Sequence, residues 1–346
     1  MRRRNRLTMC LFAALTTAMI LVVTGCSTAP IESSGESVDA SATLRSGPQT
    51  AGLPSADVVP VTTDPQVTLP VTVPSVGHGT TTVSDVSRII AIDRNATLSN
   101  IVFSLGLGGK VVGRDTSTVF PAAANLPLVS NTGHQLNAEK VLKLNPSVVL
   151  VTEGTTPSQA VDQLRNSGIP VVEFTSERTV ASTPTLIRSV AAALGVVPAG
   201  EQLVARTQSQ IDAAKRAVPD PSGNPRMAFL YIRGPRLVLI AGPDSGADDL
   251  IANLGGVDAG TASGFTSAFT AVTAEKLLQA NPQVILVMTQ GAESVGGLDG
   301  VLALPGVEAT DAGRARRVVQ MDETEVLSFG PDVGQVLDAL AKAIYV

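Results

Sequence analysis

The sequence predicts an α/β fold: two Rossmann-like lobes joined by a single long helix. Three observations carry this. From about residue 86 onward, short β-branched runs alternate with helical stretches, the signature of a parallel sheet covered by helices on both faces. One unit occurs twice, Ala138-Glu139-Lys140-Val141-Leu142-Lys143-Leu144-Asn145-Pro146-Ser147-Val148-Val149-Leu150-Val151 and Ala274-Glu275-Lys276-Leu277-Leu278-Gln279-Ala280-Asn281-Pro282-Gln283-Val284-Ile285-Leu286-Val287. Two copies at domain-sized spacing mean two lobes of one plan rather than a solenoid. Between them, residues 197–220 carry Leu203, Val204, Ile211, Ala214 and Val218 with no turn signal, which reads as one connecting helix.

Taken in order, the chain opens with a basic cluster (Arg2, Arg3, Arg4, Arg6) and an apolar run from Leu7 to Val23. The run is too short for a membrane span and fits a signal peptide over residues 1–25. It closes on Val23-Thr24-Gly25-Cys26, which resembles the bacterial lipobox and implies cleavage before Cys26 and a diacylglycerol on its thiol. Residues 26–82, rich in Ser, Thr, Pro, Gly and Val, show no helical period, so a disordered tether is expected there, with His78 solvated inside it.

The N-terminal lobe is expected over 83–196. Its strands are Arg88–Ile92, Lys110–Gly113, Ser147–Val151 and Ile169–Phe174; its helices are Thr97–Leu105, Asn137–Leu144 and Gln159–Arg165. A helical stretch from Thr183 breaks near Gly195 and Pro198. The C-terminal lobe, 221–346, begins with a strand over Met227–Ile232 and ends in a helix over Val333–Ile344. In both repeats a helix stops at Asn-Pro, because a residue before proline is pushed out of the helical region, and a buried strand follows at once.

Composition narrows the function. A net charge of −5 disfavours nucleic acid, whose phosphates need a basic face. Of two cysteines, Cys10 falls inside the signal peptide, so no disulfide is expected in the mature chain. No nucleophile elbow, His-Glu-x-x-His or phosphate-binding loop is present, and Leu105-Gly106-Leu107-Gly108-Gly109 follows a helix, whereas a dinucleotide fingerprint must follow a strand. The chain reads as a non-enzyme.

With the lipobox, the repeat and the joining helix, the chain resembles the substrate-binding proteins of siderophore, cobalamin and haem ABC importers, over roughly 86–346. That resemblance implies the class III periplasmic-binding-protein fold. It also implies attachment to the outer face of the cytoplasmic membrane and delivery of a ligand to a membrane permease. Gly133-His134-Gln135-Leu136-Asn137-Ala138-Glu139 and Tyr231-Ile232-Arg233-Gly234 resemble the haem-carrier lipoproteins of Gram-positive type. There, a histidine of one lobe and a tyrosine of the other hold the iron from opposite faces. Carried over, His134 and Tyr231 are the axial ligands of a transported haem and Arg233 supports the phenolate.

The residue chemistry agrees. Ferric iron is hard and favours a phenolate, imidazole suits the opposite face, and Arg233 shares a strand side with Tyr231. After the tether there is one histidine, and the other tyrosine, Tyr345, is expected to pack in the terminal helix. Arg114, Asp115, Thr116, Asn131, Phe265 and Phe329 lie on loops suited to further cleft contacts. Related proteins carry a basic residue after the Phe-Gly-Pro element, where this chain has Asp332. The resemblance further implies docking on the permease through one acidic residue per lobe, for which Glu153, after the N-lobe strand, and Glu293, after the matching C-lobe strand, are the candidates.

Alternatives remain at this point. A ferric-siderophore receptor has the same plan, although Arg114 and Arg233 are the only obvious cleft cations. Cobalamin is disfavoured by the absence of tryptophan and an aromatic content of 3%. A lipid-anchored enzyme or adhesion module is the rival of another class; it needs a catalytic pair or an exposed apolar patch.

Overall fold

The computed structural model describes residues 44–219 and 223–346. The expected signal peptide and Cys26 lie outside the described residues.

Strands β1 (Gln49–Thr50), β2 (Val71–Ser75) and β3 (Gly79–Val83) precede the lobes. The N-lobe follows as β4 (Ile89–Ile92), α1 (Thr97–Ser104), β5 (Val111–Gly113), α2 (Ala138–Lys143), β6 (Val148–Thr152), α3 (Ser158–Asn166), β7 (Val171–Phe174) and α4 (Thr183–Ala193). The 21-residue helix α5 (Val197–Ala217) joins it to the C-lobe. There β8 (Arg226–Ile232), β9 (Val238–Ala241), α6 (Ala247–Asn253), β10 (Val257–Asp258), α7 (Ala259–Ala262) and β11 (Phe269–Ala271) come first. They are followed by α8 (Ala274–Ala280), β12 (Val284–Met288), α9 (Thr289–Glu293), α10 (Gly297–Leu302), α11 (Asp311–Arg314), β13 (Val318–Met321), α12 (Glu323–Val326) and α13 (Val333–Ile344).

The N-lobe sheet is wholly parallel, in the order β5-β4-β6-β7. In the C-lobe, β10 and β12 flank β8 and β13 flanks β12, all parallel, which repeats the same order. The repeated sequence unit supplies the third strand of each, β6 and β12. Every residue of both strands is buried, as expected where helices cover both faces and no polar alternation survives. The prolines work as anticipated, with one refinement. Asn145 and Asn281 leave their helices in the left-handed region (φ 44° and 38°), which asparagine tolerates better than most residues. The C-lobe adds what the N-lobe lacks: β9 and β11 run antiparallel beside the outer half of β8.

The tether expectation fails over residues 44–82. Leu44 bridges to Tyr345, and β1 adds a parallel strand to the edge of β13. The chain then crosses to the other lobe. The Val61 N–H donates to the Ser104 carbonyl (2.8 Å), and the Thr68 N–H to that of Gly195 (2.8 Å). Strands β2 and β3 form an antiparallel hairpin whose Ser75 Oγ accepts the Glu173 N–H at 3.0 Å, beside β7. Gly106 (φ +84°) shows how closely this strap lies, since a Cβ there would meet the Thr62 carbonyl oxygen at 2.1 Å. Composition misled because these scattered valines and leucines do not cluster with one another. Val58, Val61, Leu69, Val71, Val73 and Val83 bury against the N-lobe instead. His78 is likewise no linker residue. Its Nε2 lies 3.5 Å from Glu173 Oε2, which also accepts Arg165 Nη2 at 2.8 Å.

The lobes are seamed at their base. Helices α5 and α13 pack so tightly that a Cβ on Gly334 would meet the Gln210 backbone at 2.5 Å. The loop 327–332 reaches across to the N-lobe. The Leu327 carbonyl accepts Asn95 Nδ2 (2.5 Å), that of Ser328 accepts the Thr97 hydroxyl, and that of Phe329 accepts the Thr183 hydroxyl (2.9 Å). Asp332 accepts Asn100 Nδ2 at 2.9 Å, so the residue standing in the basic position ties the lobes together. Tyr345 lies just past the end of α13 rather than within it. It is buried and donates its hydroxyl to the Leu254 carbonyl at 2.6 Å.

Candidate functional site

In open α/β sheets ligands bind beyond the carboxyl ends of the strands. Here those ends meet: the loop after β4 with the start of α1 touches the loop after α12, and the loop after β7 touches the first turn of α6. Besides the seam bonds of Asn95 and Thr97, the Val180 N–H donates to Asp249 Oδ2 at 2.7 Å. The polar hollow bounded by Arg226, Ser263, Asn281 and Asp311 sits at the opposite end of the C-lobe strands, away from this crevice.

On the N-lobe side the foundation is Asp93, at the end of β4. Its carboxylate accepts the N–H groups of Asn95 (2.7 Å), Thr97 (3.0 Å) and Leu98 (2.6 Å), capping α1. Its own N–H donates to Asp115 Oδ2 at 3.0 Å. Asp115 Oδ1 in turn accepts from the Ser117 N–H, the Thr118 N–H and the Thr118 hydroxyl. Burial first, then the Asp93 charge, push the Asp115 carboxyl up to about 7. Asp115 therefore shapes the loop from within; it is 1% exposed and does not line the crevice as expected.

That loop holds His134. The imidazole Nδ1 lies 2.9 Å from Ser117 Oγ and 3.1 Å from Thr116 Oγ1, while Nε2 has no partner among the described residues. The backbone there is strained: Gly133 and His134 are successive left-handed residues (φ 74° and 62°). Partial burial, with the positive charge of Arg94 second, lowers the His134 pKa and favours the neutral ring, the form that binds metals. Arg94 is exposed, and sequence reasoning missed it. A cation directly following a strand end was the available signal.

On the C-lobe side Tyr231 lies on β8, paired across the ladder with Leu239 of β9. Phe269 packs edge-on against its ring (6.0 Å between centroids), and the Arg233 guanidinium lies 4.6 Å from the ring centroid. Arg233 Nη1 donates to the Ile232 carbonyl (3.0 Å) and lies 4.0 Å from Glu323 Oε1. Burial raises the Glu323 carboxyl, whose second oxygen is buried without a hydrogen-bond partner. No local pattern near Arg233 points to this acid, because α12 is distant in the chain.

The remaining candidates divide. Arg114 is turned inward to the Asp115 and Thr118 carbonyls (both 3.2 Å). Asn131 is exposed, its Oδ1 accepting Lys140 Nζ at 3.2 Å. Phe265 and Phe329 do not line a cleft. They are 9% and 2% exposed and pack into the two C-lobe cores, because each loop turns its one large apolar side chain away from water. Glu153, just past β6, accepts from Ser176 N–H and Oγ and Thr175 Oγ1, bonds that hold its carboxyl below the usual range. Glu293, at the end of α9 after β12, is exposed. The two carboxylates thus follow equivalent strands.

Among the described residues no helix is long and apolar enough to cross a membrane. A family model for periplasmic binding proteins matches residues 95–325. An ABC-transporter substrate-binding lipoprotein of Bacillus subtilis, YvrC, is 25% identical over 281 residues, 80% of this chain and 86% of its own. The vitamin B12-binding protein of Yersinia pestis is 29% identical over 84 residues, 24% of this chain and 29% of its own. Among solved structures, the haem-binding protein HmuT superposes with a TM-score of 0.82 at 34% identity, covering 89% of this chain and 99% of its own. Alanine variants of one arginine, one tyrosine and one histidine of that protein have also been solved, the tyrosine and arginine two positions apart. The periplasmic haem-binding protein RhuT of Roseiflexus gives a TM-score of 0.70 at 35% identity, covering 75% of this chain and 98% of its own.

Proposed function

This chain belongs to the periplasmic binding protein family, and from that premise we propose that it binds ferric haem between its lobes and hands it to an ABC-type permease. The observation that carries this reading is one side chain of a type suited to iron on each lobe, His134 and Tyr231, both at the carboxyl edge of a sheet. Tyr231 supplies a phenol oxygen, a hard donor suited to ferric iron, and the Arg233 guanidinium lies over its ring. His134 supplies an imidazole whose Nε2 is free of protein partners. Support comes from the haem-binding proteins of like fold. The tyrosine and arginine replaced in HmuT have the spacing of Tyr231 and Arg233. Arg94, exposed beside His134, is suited to a haem carboxylate.

Glu153 and Glu293, one per lobe, are the acidic contacts offered to the permease; charge at such rims steers encounter. Cys26, acylated after cleavage of residues 1–25, anchors the protein to the outer face of the cytoplasmic membrane. The cleavage and anchor are tested by radiolabelled palmitate incorporation, which Cys26→Ser should abolish.

The reading is tested by titrating haemin into the purified mature protein. One equivalent should shift the Soret band and produce a phenolate-to-iron charge-transfer band, and Tyr231→Phe should remove that band. An unchanged haemin spectrum, with a ferric siderophore protecting the protein against thermal unfolding instead, would replace haem by siderophore.

A further inference from the structure

Ser117 decides which nitrogen of His134 is presented to the ligand. Its Oγ lies 2.6 Å from the Arg94 carbonyl oxygen, and a carbonyl can only accept. A serine hydroxyl has one proton, so that proton points at Arg94. The same Oγ lies 2.9 Å from His134 Nδ1. With its proton committed, the oxygen can only accept there, and Nδ1 must carry the hydrogen. In a neutral imidazole this leaves the lone pair on Nε2, the nitrogen without a partner among the described residues.

Thr116 pulls the other way. Its Oγ1, 3.1 Å from Nδ1, has no second partner among the described residues, so its proton is free to turn toward the ring. Such a bond would strip Nδ1 of hydrogen and put the proton on Nε2, closing that atom to iron. It would also set the Ser117 and Nδ1 lone pairs against each other at 2.9 Å. Ser117 prevails because its place is fixed twice, by the Arg94 carbonyl and by its own N–H on Asp115 Oδ1 (3.0 Å). It is 6% exposed, so water does not compete for the hydroxyl.

We propose that Ser117 is a positioning residue that locks His134 in the Nδ1–H tautomer, leaving Nε2 unprotonated for iron. The metal role of His134 rests on the haem reading; the tautomer does not, and the two are tested separately. Long-range proton–nitrogen correlation on the haem-free protein, at a pH where the ring is neutral, reads the protonated nitrogen directly. The chain has only two histidines, and His78→Gln assigns the spectrum. Wild type should show the proton on Nδ1. Ser117→Ala, which leaves Thr116 as sole partner, should move it to Nε2, while Thr116→Val should leave it in place.

With haemin, Ser117→Ala should keep the phenolate band yet lose the imidazole ligand, matching His134→Ala in affinity and spin state. A wild-type proton on Nε2, or an unchanged tautomer in Ser117→Ala with the amide spectrum otherwise intact, overturns the proposal. Failure of haemin to bind any of these proteins would overturn the haem reading while the tautomer measurement still decides the role of Ser117.

Discussion

The two halves of the crevice are built by opposite means. On the C-lobe, Tyr231 sits in the regular strand β8, paired with Leu239 of β9; its position follows from sheet geometry, and Phe269 and Arg233 bracket its ring. On the N-lobe, His134 projects from an irregular, strained turn, and its ring is placed by two hydroxyls that depend on a buried pair of aspartates. A ladder strand fixes a side chain through many backbone bonds, any of which is dispensable. A loop organised around one carboxylate has no such redundancy. Tyr231 should therefore tolerate changes around it, whereas His134 should respond to substitutions that never touch the crevice.

This difference can be broken at several points. The largest effect is expected from Tyr231→Phe, which removes the phenolate without disturbing the strand. Haemin affinity measured by absorption titration should fall at least about a hundredfold, given that even residues behind a metal ligand are worth roughly 10–100-fold. His134→Ala should cost about tenfold or somewhat more, with a change of spin state, because the phenolate remains. An equal loss in both variants would deny the asymmetry.

Asp115→Asn sharpens the comparison from inside the protein. The amide must turn an N–H toward a backbone N–H or leave donors unmet, so about 1–3 kcal/mol of stability should be lost near neutral pH. Burial raises the folded-state pKa of Asp115 from 3.8 to about 7. Between those values the folded protein holds a proton that the unfolded chain has released, so this carboxyl's contribution to stability declines as pH rises through the window. The deficit of Asp115→Asn should accordingly narrow from about pH 4 to about pH 7 in thermal melts, and a constant deficit would contradict the assignment. The variant should also disturb His134 ligation while leaving the phenolate band. Phe269→Leu, its counterpart beside Tyr231, should leave both ligands in place.

The smallest effect concerns the strap. Gly106→Ala forces a Cβ onto the Thr62 carbonyl at a positive φ. The expected loss is about 1–2 kcal/mol by denaturant unfolding, with haemin affinity unchanged.

The sequence alone settled what depends on local pattern. The β-branched apolar runs Val148–Val151 and Val284–Met288, each entered straight from an Asn-Pro helix stop, read as strands buried on both faces, and their repetition marks two lobes of one plan. The resemblance of the segments around them, with the scarcity of histidine and tyrosine, singled out His134 and Tyr231 as candidate ligands. Tertiary structure decided whatever depends on residues distant in the chain. Nothing local to Asp115, Phe265 or Phe329 says that these side chains turn inward, nothing near Arg233 announces Glu323, and the valines of the strap disclose their burial only against the finished lobes. Propensity and periodicity act within a few residues, whereas burial and the direction of a hydroxyl proton are set by partners that folding alone brings near.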